Sequence, residues 1–242
     1  MTIEFEELDY QSTVLGDISL RRRSEPRIDH RIVYEVRLGE EFLMSSLFTV
    51  AEVELAKLAL AGLDGAGLDV VVGGLGLGYT AAAALENSAI RTVAVIEYLE
   101  PVIEWHRRGL VPLGPDLTSD RRCSLVHGDF FAAAGAPGDS FKVVDPPRKM
   151  HAVLLDIDHA PDQWLASGNR EFYTEAKLAN LSDKIHPGGV FGMWSNTPPD
   201  ERFGRLLESV FHSFEAHVVR FPNPYRDEES SATVYIARRG TV

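Results

Sequence analysis

The sequence predicts an α/β protein: a Rossmann-like, seven-stranded, mostly parallel sheet with a C-terminal antiparallel hairpin, preceded by a small antiparallel β-unit. Three observations carry that reading. From residue 68 onward, short apolar runs rich in β-branched residues alternate with helical segments, the pattern of a parallel sheet covered on both faces. A glycine turn, Gly73-Gly74-Leu75-Gly76-Leu77-Gly78, follows directly on the first of those runs, Val70-Val71-Val72. Near the end of the chain, β runs at 217–221 and 233–237 have no helix between them, so they should pair antiparallel.

Residues 1–47 read as the N-terminal unit, with strands at 18–20, 32–36 and 41–44 separated by Gly16, Pro26 and Gly39. Arg21-Arg22-Arg23 reads as a solvated strand edge, where charge discourages further pairing. Residues 48–242 form the main domain. Thr49 and Glu52 have capping-box spacing ahead of a helix to about residue 61. After the glycine turn comes an alanine-rich helix over 79–86, then a strand over 92–96 that ends on Glu97. Pro101 stands in the first turn of the next helix, where its missing N–H is harmless. A loop over 110–120 leads to a strand at 124–126 and to His127-Gly128-Asp129. A second loop, 135–150, leads to a strand at 152–155 ending in Asp156-Ile157-Asp158-His159. A helix over 171–185, a strand over 190–194 and a helix over 200–214 complete the alternation. In the last helix Phe203, Leu207, Val210 and Phe214 form an apolar stripe, read as core.

The candidate site lies where strands hand over to turns, because ligands of such sheets bind beyond the carboxyl ends of the strands. Glycines at 74, 76 and 78 allow backbone angles closed to other residues and let a ligand lie against the main chain. Their GxGxG spacing is tighter than the GxGxxG that seats a pyrophosphate, and is more typical of adenosyl sulfonium sites. Glu97 follows about 20 residues later, placed to accept both hydroxyl hydrogens of a ribose.

The chain has 242 residues, 45% of them hydrophobic, enough to bury a substantial core as one domain with a small appendage. A formal charge of −12 argues against a nucleic-acid partner and is compatible with cationic substrates. One cysteine, Cys123, excludes an internal disulfide and fits a reducing compartment. Acids at the N-terminus and the lack of a long apolar run predict a cytoplasmic protein with no membrane partner.

Taken together, these residues resemble the spermidine synthase family, aminopropyltransferases built on the class I methyltransferase fold, from about Leu43 onward. The turn spanning Gly73, Gly74, Gly76 and Gly78 stands in the place of the family's GGGDGG, and the segment from Ile96-Glu97 to Val102-Ile103 in the place of its EID…VI segment, with Glu97 on the ribose-binding acid. Gly128-Asp129 matches a GD pair whose acid contacts the adenine amino group. Asp156 falls on the first acid of the DSSD catalytic loop, and Pro187-Gly188-Gly189-Val190 keeps the same register. The resemblance implies decarboxylated S-adenosylmethionine or S-adenosylmethionine as group donor, no metal, a small cationic amine as acceptor and a homodimer. It implies Asp156 as base or amine anchor, with Asp158 and His159 as secondary candidates, and Gly73, Gly74, Gly76, Gly78, Glu97, Tyr98, Gly128 and Asp129 as the nucleoside site. Three departures stand out. Gly76 replaces the family's glycine-loop acid, DIDH replaces DSSD, and Val50-Ala51 replaces a Tyr-Gln pair. Two other readings are a small-molecule methyltransferase using S-adenosylmethionine and a non-catalytic adenosyl-binding protein. Asp145-Pro146-Pro147-Arg148 resembles the DPPY signature of amino-directed methyltransferases, but it lacks the aromatic residue and reads as loop.

Overall fold

The computed structural model describes residues 4–241. Four antiparallel strands form the N-terminal sheet in chain order: β1 (Phe5–Thr13), β2 (Gly16–Glu25), β3 (Arg31–Leu38) and β4 (Glu41–Ser45). The first of these is an addition to the sequence reading. Its residues, FEELDYQST, show no apolar alternation, and pairing with β2 is what makes them a strand. That pairing also corrects the reading of Arg21-Arg22-Arg23 as a strand edge. β2 is flanked on both sides, and its arginines face acids: Arg22 lies 2.7 Å from Glu6, and Arg23 reaches Glu25 at 2.5 Å and Glu35 at 2.7 Å.

The chain then runs α1 (Val50–Leu60), β5 (Leu68–Gly73), α2 (Tyr79–Leu85), β6 (Ile90–Glu97), α3 (Glu100–Arg107), α4 (Gly114–Ser119), β7 (Cys123–His127), α5 (Phe130–Gly135) and β8 (Met150–Leu155). It closes with α6 (Glu175–Asp183), β9 (Ile185–Ser195), α7 (Glu201–Val210), β10 (Ser213–Phe221) and β11 (Ser230–Arg238). The seven strands take the order β10-β11-β9-β8-β5-β6-β7. β5 to β9 run parallel, and β11 is the reversed strand between β9 and β10, which makes the expected hairpin. Successive side chains of the central strands enter opposite cores, as a sheet covered on both faces requires. Val70, Val72, Ala152 and Leu154 pack in the core shared with α1, α2 and α3, while Val71, Val153 and Leu155 pack in the other, with Leu178, Leu181 and Leu207.

Several boundaries differ from the sequence reading. The 110–120 loop holds α4, and residues after Asp129 form α5, capped by the Asp129 side chain on the Ala132 N–H at 2.9 Å. The helix expected from 171 starts at Glu175, after a 3-10 turn over Ser167–Phe172. α7 stops at Val210 because Phe211 is extended (φ −103°, ψ 155°), so Phe214 belongs to β10 and packs over Gly204 from there. The capping box does not form, since Thr49 makes no side-chain cap and Glu52 is buried. Asp145–Arg148 remains a loop and lies at the opposite end of the sheet from the glycine turn. There Arg148 bonds Thr92 at 3.0 Å and stands 3.4 Å from Asp69, near the start of β5. No helix of the described residues is long and apolar enough to cross a membrane.

Side-chain hydrogen bonds fasten the N-terminal sheet to the main domain. Trp105 donates its indole N–H to Asp9 at 2.7 Å. Arg23 donates to the Tyr225 hydroxyl at 2.9 Å, which in turn donates to Glu25 at 2.6 Å. Held this way, the exit of β4 lies over the carboxyl ends of the parallel strands, with Met44 above the glycine turn.

Candidate active site

Between those strand ends and the N-terminal sheet lies a cavity of about 720 Å³, within the range of roughly 300–1,000 Å³ usual for small-molecule clefts. The strand order lays out its floor. Gly74 and Gly76 follow β5, Glu97 ends β6, Asp129 follows β7, Asp156 follows β8, and Trp194 and Asn196 stand at the end of β9. The chain turns from building the sheet one way to the other between β5 and β8, so Asp156 stands beside the switch point.

The glycine turn is pressed close to the Asp156 loop. Gly74 has φ +94°, and a β-carbon there would lie 2.1 Å from the Asp156 carbonyl oxygen, so only glycine fits. Gly73 and Gly78 shape the turn from outside the cavity: Gly73 backs onto Phe130, and Gly78 starts α2 against Leu117 and His106. Glu97 is buried with one edge on the cavity. Its two carboxylate oxygens accept the Leu75 and Leu99 N–H groups, each at 2.8 Å. The Tyr98 and Gly76 N–H groups also face this carboxylate. Burial pushes this carboxyl above its ordinary value, and the backbone donors pull the other way. Tyr98 and Asp129 lie at the rim, while Gly128 stays outside and ties its N–H to the Glu97 carbonyl at 2.9 Å. Phe130 and Phe131 line the cavity beside Asp129 as an apolar wall of aromatic rings.

Asp156 is held by two donors, the Thr80 hydroxyl at 2.6 Å and the Trp194 indole N–H at 2.5 Å. Burial raises its pKa, and those two bonds oppose the rise. Its neighbour is Glu52 on α1, whose carboxyl is pushed up to about 8 by burial first and by the Asp156 charge second. Two buried acids whose charges act on each other resist ionising together, and the proton stays on Glu52, which has no side-chain donor of its own, whereas Asp156 has two. Stability should follow. An acid with a raised folded-state pKa holds its proton in the fold and releases it on unfolding, so its contribution is complete below the unfolded pKa of 4.5 and fades as pH rises towards 8. Glu52→Gln mimics the protonated form. It should melt with the parent at about pH 4 and several degrees above it at about pH 8.5. A parallel pH profile for the two proteins would show that Glu52 ionises normally.

Asp158, also near this loop, has another task. It is buried outside the cavity lining and accepts from the Leu165 N–H at 2.9 Å, Asn169 at 2.8 Å and the Tyr173 hydroxyl at 2.7 Å. These bonds fold the 158–173 segment and leave the carboxylate turned away from Asp156's ligand space. His159 lines the cavity at its edge, beside Trp194 and 3.5 Å from Glu41. Glu52, Met44 and Thr80 are the site residues that sequence reasoning missed. For Glu52 a signal existed: it falls on the same helical face as Leu55, Ala56 and Ala59, and an acid in that register is an anomaly. Met44 and Thr80 carried none.

No protein-family model matches the chain. Among solved structures, it superposes on spermidine synthase in complex with the transition-state analogue AdoDATO, with a TM-score of 0.70 and 17% identity over 98% of this chain and 73% of that one. The spermidine synthase of Thermotoga maritima matches with a TM-score of 0.71 and 17% identity over 98% of this chain and 74% of that one. A probable spermidine synthase from Corynebacterium glutamicum matches with a TM-score of 0.62 and 11% identity over 96% and 79%. At these identities the likeness is one of fold: the chain has the spermidine-synthase-like architecture, N-terminal sheet included.

Proposed function

We propose that this chain transfers an aminopropyl group from decarboxylated S-adenosylmethionine to a small amine. The observation that supports this most is the pair Glu52 and Asp156, two acids at the middle of the cavity that no lysine or arginine of the described residues neutralises. An alkylammonium ion is the ligand such a pair favours. The glycine turn and Glu97 suit an adenosine lying over β5 and β6, with Phe130, Phe131 and Asp129 around its base. Gly74 and Gly76 line the cavity there, and Glu97 presents its carboxylate to it. The spermidine synthases that share the fold support the same class of reaction.

The donor supplies an electrophilic carbon attached to a positively charged sulfur. Asp156 takes a proton from the acceptor ammonium, and its raised pKa makes it a better base than an exposed carboxylate. The freed nitrogen lone pair forms the new N–C bond in line as the C–S bond breaks. That bond's electron pair stays on sulfur, which leaves as a neutral thioether. Thr80 and Trp194 fix the carboxylate's orientation throughout. A donor that kept a carboxylate on its tail would place a third acid beside Glu52 and Asp156, which favours the decarboxylated form. One observation favours the rival methyltransferase reading. Met44 Sδ fills the space above Gly76 where a glycine-loop acid would project, so the turn offers no charge to a donor's ammonium.

Calorimetry with both donors and with methylthioadenosine, followed by product analysis over an amine panel, tests the proposal. The decarboxylated donor and the thioether should bind at least about tenfold more tightly than S-adenosylmethionine, a gap of about 1.4 kcal/mol, and an aminopropylated amine should form. Preference for S-adenosylmethionine would move the assignment to methyl transfer. Binding without any product would leave an adenosyl-binding protein.

A further inference from the structure

We infer that the acceptor is a monoamine with an apolar tail and not a diamine. This rests on Asp156 as the amine anchor, and it holds for either group transferred.

The sheet order divides the cavity. The nucleoside half lies over β5, β6 and β7, and Asp156 on β8 marks the boundary. Lys177 belongs to the nucleoside half, since it packs on Gly135; Glu171 lines the cavity just before Phe172, whose ring packs on Phe130 and Phe131 on that side. The other half lies over the ends of β9, β11 and β10, under the N-terminal sheet. Its walls are mostly apolar, formed by Trp194, Phe221 and Phe48, with Asn196, Ser231 and His159 as the polar groups among them. Phe48 packs at the far end, with ring centroids 6.2 Å from Phe221 and 6.1 Å from Tyr225.

Beyond Glu52 and Asp156, no carboxylate of the described residues lines this half, and Glu41, outside the lining, already faces His159 at 3.5 Å. Asp158 is spent on Leu165, Asn169 and Tyr173. Behind Tyr225, Glu25 and Glu35 are already bound by Arg23, whose own charge would repel a second ammonium. A diamine anchored at Asp156 would therefore carry its distal ammonium into a mainly apolar chamber that offers it no carboxylate, and moving a charge out of water without a counter-ion is unfavourable. A hydrocarbon or aromatic tail meets no such penalty and gains by leaving water.

The test is calorimetry on the full chain with hexylamine and the hexane diamine of equal length, with and without saturating methylthioadenosine. Hexylamine should bind at least tenfold more tightly than the diamine, and more tightly than butylamine. Equal or tighter binding of the diamine, or no binding of either amine in both conditions, would overturn the inference. The arm without nucleoside still ranks the amines if the donor assignment fails, so the two failures read out separately. Phe221→Asp supplies the missing far acid and should reverse the preference towards the diamine, with retained methylthioadenosine binding as the check on folding. An unreversed preference in a folded variant would place the tail elsewhere.

Discussion

Asp156→Asn should lower the transfer rate by about 10³-fold, the scale of removing a positioned general base, and leave nucleoside affinity within about threefold. The local structure tolerates the change. The asparagine carbonyl takes over the Trp194 N–H, and its amide can donate to the Thr80 oxygen, whose hydrogen then turns to the Glu52 carbonyl 3.3 Å away. What disappears is the group that accepts the acceptor's proton and attracts its charge. The measurement is kcat at saturating donor and amine, with methylthioadenosine affinity as the control. A rate within tenfold of the parent would remove Asp156 from the mechanism.

Glu97→Ala should cost both folding and binding. The Leu75 and Leu99 N–H groups lose their shared acceptor in a buried place. Two unpaired buried donors amount to roughly 2–6 kcal/mol, a fall in Tm of about 5–20 °C for a protein of this size. The glycine turn then loses the bond that fixes Leu75, and a ribose loses its carboxylate. Nucleoside affinity should drop at least about a hundredfold, as expected for two charge-assisted hydrogen bonds. Glu97→Gln keeps one acceptor and should fall between. Unimpaired nucleoside binding in a folded Glu97→Ala protein would place the ligand somewhere other than over this turn.

Much of this arrangement is legible in one dimension because local chemistry and global fold agree. Val70, Val71 and Val72 are apolar on both faces since helices cover both faces, and the glycines follow because the turn runs against the Asp156 main chain. Glu97 and Asp156 end their strands, where a parallel sheet must put its ligands. Misreadings fell where a residue's partner is distant in sequence. β1 has no pattern of its own and exists through β2. Arg21 to Arg23 looked like an edge because their acids lie on other strands. Asp158 looked like Asp156's helper because two residues separate them, but strand-end geometry turns it towards Tyr173.

Read alone, then, the sequence determined the layered α/β class, the glycine turn and the acids that end the strands, because periodicity and turn chemistry are properties of short segments. Which acids share one cavity was decided only by tertiary structure. Glu52 meets Asp156 because α1 packs against the ends of β8 and β9, and Met44 comes to cover Gly76 through the tether of the N-terminal sheet. Charge coupling falls off with distance in space, and distance in space between segments 104 residues apart, as 52 and 156 are, is written only in the packing.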